Sequence, residues 1–461
     1  MKRFFIFFIF LLNLSAAKAQ ENNPQNVAEY LNQNWIEKSK QLSVAQSILV
    51  ATEAEEIYKN CFYYLNYLND NDEIYSQHPS IEYLQKLLNE ILAKQPELKK
   101  DIRLFVSKNP EPDAYVLPEG SIIVNIGIFN FIKNESQLAA VLCQKVFHYK
   151  LQHTLKKIKI DSDLKSVQLS SFSSPGIKYA YTNYPKALLA QVDLATTNLL
   201  QETRFDATEY LNVLPLICNL KRDSLGTKII RSVVDVATSN SPEILREVAI
   251  TPFQKRIDFK KSYQRSVSDE YYNSSGPLNN RNLAIKDGLT TSTFPSKQPI
   301  DSTQYIKMAE NAAYEIAENY FLRSKYFEGF YESMVLSKKY PESIPAQTLF
   351  LKNLYWLCVL KQDSSIYNYI KENNFFHVKD ILFLQLAFYN ASTDVLHKNL
   401  FTVAKNAYTK TPDNEAITLY YALIVELTLG KAYADAPYAN FIKSFPQSVY
   451  KEFISNKLTA F

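Results

Sequence analysis

Glycine is scarce in this chain, with 8 among 461 residues. Tight hairpins draw on glycine for positive φ, so a turn-rich β protein is excluded and a mostly helical chain is expected. The four cysteines, Cys61, Cys143, Cys218 and Cys358, lie far apart with no C-x-x-C spacing. That excludes a cysteine metal cluster and gives no disulfide framework. Each sits in an apolar helical context and reads as a buried thiol. Charge of one sign is also missing. Residues 1–19 read as a secretory signal: Lys2 and Arg3, an apolar run from Phe4 to Leu14, then Ala17-Lys18-Ala19. That run is too short to span a bilayer. Its removal leaves 442 residues carrying 48 basic and 47 acidic side chains. No basic field points to nucleic acid or to an anionic membrane surface.

The organisation beyond residue 26 is read from periodicity and breakers. Helices fill 26–99, with an acidic turn from Asn69 to Glu73 and a helix over Ile81–Leu92 ahead of a strand at Ile102–Val106. A Ser-rich loop is expected over 159–190 and a helix from about Lys186 to Leu211. A stretch rich in Ser, Thr and Pro marks 286–305 as a linker. Pro412 and Pro446 stand 34 residues apart, with Pro341 about two such periods earlier. This is the tetratricopeptide period, and it predicts about four helical hairpins from Met308 onward. The expected units are 1–19, 26–285, 286–305 and 306–461.

The stretch from Asp113 to His153 organises the rest. Ile122, Ile123 and Val124 follow a Pro118-Glu119-Gly120 turn and read as a strand. Asn134 with Gln137 three residues on forms a capping-box signal, and no Gly or Pro interrupts a helix running to Lys157. Asp113-Ala114-Tyr115-Val116-Leu117-Pro118, Ile122, Val124, Gly127 and Leu138-Ala139-Ala140-Val141-Leu142 resemble the zinc metallopeptidases of the HtpX and CAAX-prenyl-protease type, metallopeptidase family forty-eight. The likeness reaches the H-E-x-x-H motif, where this chain reads Gln144-Lys145-Val146-Phe147-His148.

The resemblance implies two helix histidines four residues apart and a distant glutamate around zinc, with the motif glutamate as general base. Gln144 replaces the first histidine, and an amide oxygen is a poor zinc ligand. Lys145 replaces the base, and an ammonium cannot accept a proton. His148 matches the second histidine. The family's E-x-x-A-D motif is matched to Glu202-Thr203-Arg204-Phe205-Asp206, making Glu202 the third ligand and Asp206 its support. His153 matches a further histidine, set roughly 140° from His148 if the helix is continuous. Ser274-Ser275-Gly276-Pro277 and Arg281 match an S-T-H-P-x-x-x-x-R segment, with Gly276 in place of its histidine. His78, His377 and His397 have no partners at ligand spacing.

The expected fold is mainly α with a small β-sheet: a zincin-like metallopeptidase domain followed by tetratricopeptide-like helical hairpins. The expected function is that of an exported family homologue without catalysis, binding proteins or peptides in the bacterial periplasm or cell envelope. Its binding surfaces would be the cleft, a peptide-binding edge strand at Ser121, Ile122, Ile123, Val124 and Asn125, and the helical repeats. Two alternatives stand: an active zinc endopeptidase using Gln144, His148 and Glu202, and a structural subunit of an envelope complex. No cofactor is expected unless that variant site holds zinc, and no transmembrane span is expected.

Overall fold

The computed structural model describes Tyr30 and residues 34–156, 159, 175–219, 278–290, 302–370 and 378–459. The expected signal at 1–19, the Ser274–Pro277 segment and His377 lie outside the described residues. The fold is mostly helical with one three-stranded sheet. Helices Trp35–Ala45 (α1), Ala51–Asp70 (α2) and Pro79–Leu92 (α3) precede the strands Arg103–Ser107 (β1), Ala114–Val116 (β2) and Ser121–Asn125 (β3). Glu135–Lys150 (α4), Pro175–Gln201 (α5), Glu209–Asn219 (α6) and Leu278–Thr290 (α7) complete this half.

The sheet order is β1-β3-β2, with β3 parallel to β1 and antiparallel to β2. β3 is therefore the central strand, and the expectation that Ser121–Asn125 forms a peptide-binding edge is corrected. All five of its residues are buried. An unbroken apolar strand reads the same at an edge or a centre until its neighbours are known. One face, with Leu104, Val106, Ala114, Val116, Ile122 and Val124, enters the main core beside α3 and α4. The other, with Phe105 and Ile123, packs on Tyr30, Phe62, Leu65 and Leu68. The edge strand on the α4 side is β2.

Local chemistry builds α4. Asn134 accepts from the Gln137 N–H at 2.9 Å, and the Gln137 side chain accepts from the Lys133 N–H at 2.8 Å. Twelve of the sixteen residues are buried, so this helix is the spine of the domain rather than an amphipathic surface element. It ends earlier than expected. Leu151 caps it, and Gln152 takes φ 53°, in the left-handed region, before a new turn starts at His153. Likewise α5 begins at Pro175, inside the expected loop, and stops at Gln201.

The second half runs through Thr303–Leu322 (α8), Tyr326–Lys339 (α9), Ile344–Gln362 (α10), Val378–Asn390 (α11), Thr393–Lys410 (α12), Glu415–Leu429 (α13), Lys431–Ser444 (α14) and Lys451–Thr459 (α15). Pro341, Pro412 and Pro446 each fall two residues past the end of α9, α12 and α14, which is where proline stops a helix without breaking it. The consecutive pairs α8/α9 and α13/α14 pack against each other as the expected hairpins would, whereas α11 packs on α9 and α10 is followed by a short 3-10 turn at Ser365–Asn368. The expected linker at 286–305 begins inside α7 and ends inside α8. Tyr305, Met308, Ala312, Ile316 and Tyr320 of α8, spaced at three and four, are buried in the first half's core. Phe321 starts the second core. Among the described residues, no helix is long and apolar enough to cross a membrane.

Candidate functional site

The centre of the site is a chain of four buried side chains from four helices. Gln144 on α4 donates its amide N–H to the Tyr210 hydroxyl of α6 at 3.1 Å. Tyr210 donates in turn to the Asp193 carboxylate of α5 at 2.5 Å. Arg281 on α7 closes the chain with two parallel bonds, Nε to Oδ2 and Nη2 to Oδ1, both 2.7 Å. Asp193 has no exposed surface, and Arg281 is almost fully buried. A bidentate guanidinium and a phenol are what a fully buried carboxylate needs to remain charged. The Asp193 charge and burial push the Tyr210 hydroxyl well above its ordinary pKa, with burial the larger cause, so Tyr210 stays a donor. One atom is left over: the Gln144 carbonyl oxygen is buried without a hydrogen-bond partner.

His148 lies one turn beyond Gln144 and is half-buried. Burial, then the charges of Lys145, His153 and Arg281, hold its pKa well below the usual value, so the ring is neutral at pH 7. The helix break at Gln152 swings His153 back, and its ring meets that of His148 edge-on at 5.3 Å between centroids. This overturns the 140° separation expected from a continuous helix. His153 is buried, and among the described residues its ring nitrogens make no hydrogen bond of ordinary geometry, with the Gln191 side chain a polar group acting on the ring. Burial, with Lys156 nearby, lowers its pKa to about 4.

Glu202 and Asp206 do not join the site. Both are exposed, beyond the end of α5. The Asp206 carboxylate accepts from the Thr208 N–H at 2.9 Å and hydroxyl at 2.7 Å, which starts the turn into α6. Glu202 is not among the groups acting on His148. Arg281, matched in the sequence to the arginine of the S-T-H-P-x-x-x-x-R segment, bonds Asp193. Asp193 and Tyr210 were missed in the sequence, although a lone acid inside the apolar run from Leu188 to Leu200 is a signal, since it requires a buried partner.

Residues 75–204 match the model of peptidase family M48. This region is an M48 peptidase domain. The mitochondrial metalloendopeptidase OMA1 of Schizosaccharomyces pombe is 36% identical over 83 residues, covering 18% of this chain and 25% of the relative. The β-barrel assembly-enhancing protease of Escherichia coli is 22% identical over 97 residues, covering 21% of this chain and 20% of the relative. The chain thus matches a quarter or less of the length of either relative.

The M48 family generally uses zinc, but the donors present do not fit it. Setting the D of E-x-x-A-D on Asp193, the carboxylate that is tied to α4, puts Leu189 where the ligand glutamate stands. Both Asp193 oxygens are already engaged, and Gln144 offers only an amide oxygen, a poor zinc ligand. Among the described residues, no three His, Cys, Asp or Glu side chains could share a metal ion.

Beside this chain, β2 borders an open groove with a cavity volume of about 280 Å³. Ile128, Phe131, Ile132, Val141 and Val213 line its floor, with Asn109, Glu111, Asp113 and Lys145 among its polar lining. The Asn125 N–H donates to the Asp113 carbonyl at 2.9 Å and the Leu117 N–H to Ser121 at 2.8 Å. Backbone groups of 113, 115 and 117 therefore face β3, and those of Ala114 and Val116 face outward. The Asp113 carboxylate covers the outward Ala114 N–H at 2.7 Å.

Proposed function

We propose that the M48 domain of this chain is non-catalytic and holds an extended segment of another protein along the outward edge of β2. Main-chain hydrogen bonds to the Ala114 carbonyl and to Val116 would supply affinity, and one apolar side chain would fill the groove. The observation that carries the reading is Lys145, which lines this groove at the position of the general base. The edge and the pocket remain while the base and the ligand set are replaced. Export to the cell envelope, through residues 1–19, and protein contacts by the helical half belong to the same proposal. The alternative of a variant endopeptidase built on Glu202 loses support from the exposure of that residue.

The test uses reduced, carboxymethylated α-lactalbumin, a permanently unfolded chain, labelled with fluorescein. Binding followed by anisotropy, with no cleavage products after prolonged incubation, is the expected result. Val116→Pro removes one outward N–H while sparing the ladder to β3, and weakens binding about tenfold. Cleavage of the probe that a chelator abolishes, or full binding by the proline variant, overturns the reading.

A further inference from the structure

The wall of the groove is not held by the M48 domain alone. Asn109, Glu111 and Asp113 belong to the loop joining β1 to β2. That loop is fastened to its own domain at Gly127, whose N–H donates to the Asn109 carbonyl at 3.2 Å. The approach is so close that a Cβ on Gly127 would sit 2.0 Å from the Pro110 oxygen. Lys108 ties it there too, through its N–H to the Glu73 carbonyl and its ammonium to Asp72, and a second set of ties runs to the helical half. Arg323 Nη1 donates to the Lys108 carbonyl at 3.2 Å, and Nη2 pairs with Glu73, whose own carbonyl receives the Lys108 N–H at 2.8 Å. Lys325 pairs with Glu111.

Arg323 and Lys325 flank Ser324 in the turn between α8 and α9. Ser324 takes φ 58°, and the turn is closed by Ser324 N–H to Phe321 and Lys325 N–H to Tyr320, both 2.9 Å. The two cations therefore leave a fixed turn and grip the loop three residues apart. Two residues beyond Glu111, the Asp113 carbonyl enters the β3 ladder while its carboxylate covers the Ala114 N–H. Loop position and the outward edge of β2 are thus mechanically continuous.

From this arrangement we infer that the Arg323-Ser324-Lys325 turn positions the peptide groove, so that occupancy of β2 is coupled to docking of the helical half. The inference rests on the proposed reading of β2 as a binding edge. Lys325 acts through Glu111 and need not touch the bound segment.

The experiment reverses the pair in the full chain: Lys325→Glu, Glu111→Lys, and both together. Two readouts are taken: anisotropy of the labelled carboxymethylated lactalbumin, and hydrogen exchange of amides 109–114. Each single reversal is expected to weaken binding about three- to tenfold and to speed exchange in this loop. The double reversal restores both. Restoration separates positioning from a direct role of Glu111 in the groove, because a direct contact is not recovered by changing Lys325. Unchanged binding and unchanged exchange in Lys325→Glu overturn the inference while leaving the β2 reading intact. A wild-type chain that ignores the probe overturns the β2 reading, and loop exchange in the three variants then decides positioning by itself.

Discussion

Replacing Arg281 by methionine isolates the energetics of the buried chain. The change keeps most of the apolar volume and removes both 2.7 Å bonds to Asp193, leaving a carboxylate without exposed surface held, among the described residues, by the Tyr210 hydroxyl. Stranding one partner of a buried pair costs about 3–5 kcal/mol. With a urea dependence of about 3 kcal/mol per molar for a unit of this size, the midpoint falls by roughly 1–1.7 M. The chain offers a direct assay, because its two tryptophans divide between the halves, Trp35 in α1 and Trp356 in α10. In a Trp356→Phe background, fluorescence reports unfolding around Trp35 in the first half. Adding Asp193→Leu to Arg281→Met removes the stranded charge and recovers about half or more of the loss, since apolar replacement of a whole buried pair is often near neutral. Overnight exposure to a chelator leaves the wild-type midpoint in place. A shift below about 0.3 M for Arg281→Met, or a chelator effect as large as the mutation, refutes the claim that a protein-only brace holds this site.

Two other predictions follow from the same geometry. Glu119 is fully buried at the entry to β3; burial raises its pKa, only partly offset by hydrogen bonds from Ser121 and Cys61. A carboxyl raised above its unfolded value stabilises fully below that value, about 4.3, and loses the contribution as pH climbs through the folded pKa. Wild-type stability relative to Glu119→Gln should therefore decline as pH is raised above about 5, and parallel urea curves that do not converge or cross with pH contradict this. For metal binding, Gln144→His with Lys145→Glu should gain little zinc affinity in titration calorimetry, because Glu202 is exposed beyond the end of α5. Adding Leu189→Glu supplies the missing carboxylate four residues before Asp193 and should bring tight binding; zinc held tightly by the double variant would return Glu202 to the site.

What could be read from the sequence was what local chemistry decides. The cap at Asn134, the apolar stretch Leu138–Leu142 and the spacing of Pro341, Pro412 and Pro446 are short-range signals, and each sits where it was expected. Strand order depends on pairing between segments, so nothing within Ser121–Asn125 announced that β1 and β2 would flank it. Glu202 and Asp206 were persuasive because their spacing equals that of the family motif, yet the helix ends at Gln201 and leaves them in solvent. The bend at Gln152 carries no Gly or Pro to mark it, which hid the contact between His148 and His153.

On the proposed non-catalytic reading, the brace takes over a structural task of the metal. In a working site the metal ties together the helices that carry its ligands, contributing cross-helix stability as well as reactivity. Here Gln144, Asp193, Tyr210 and Arg281 join α4, α5, α6 and α7 through three hydrogen-bonded contacts, so the helices stay crossed without a metal. Holding α4 in place also holds the floor of the groove, because Val141 and Lys145 project from it beside β2. On that reading the edge of β2 stays in place without the ligand set. Lys145 adds a cation to the polar lining near Asp113, whose carboxyl is raised by burial and pulled down in part by that charge. The fixed edge, the braced helix and the clamped loop all converge on β2, which is where selection on a binding function would act.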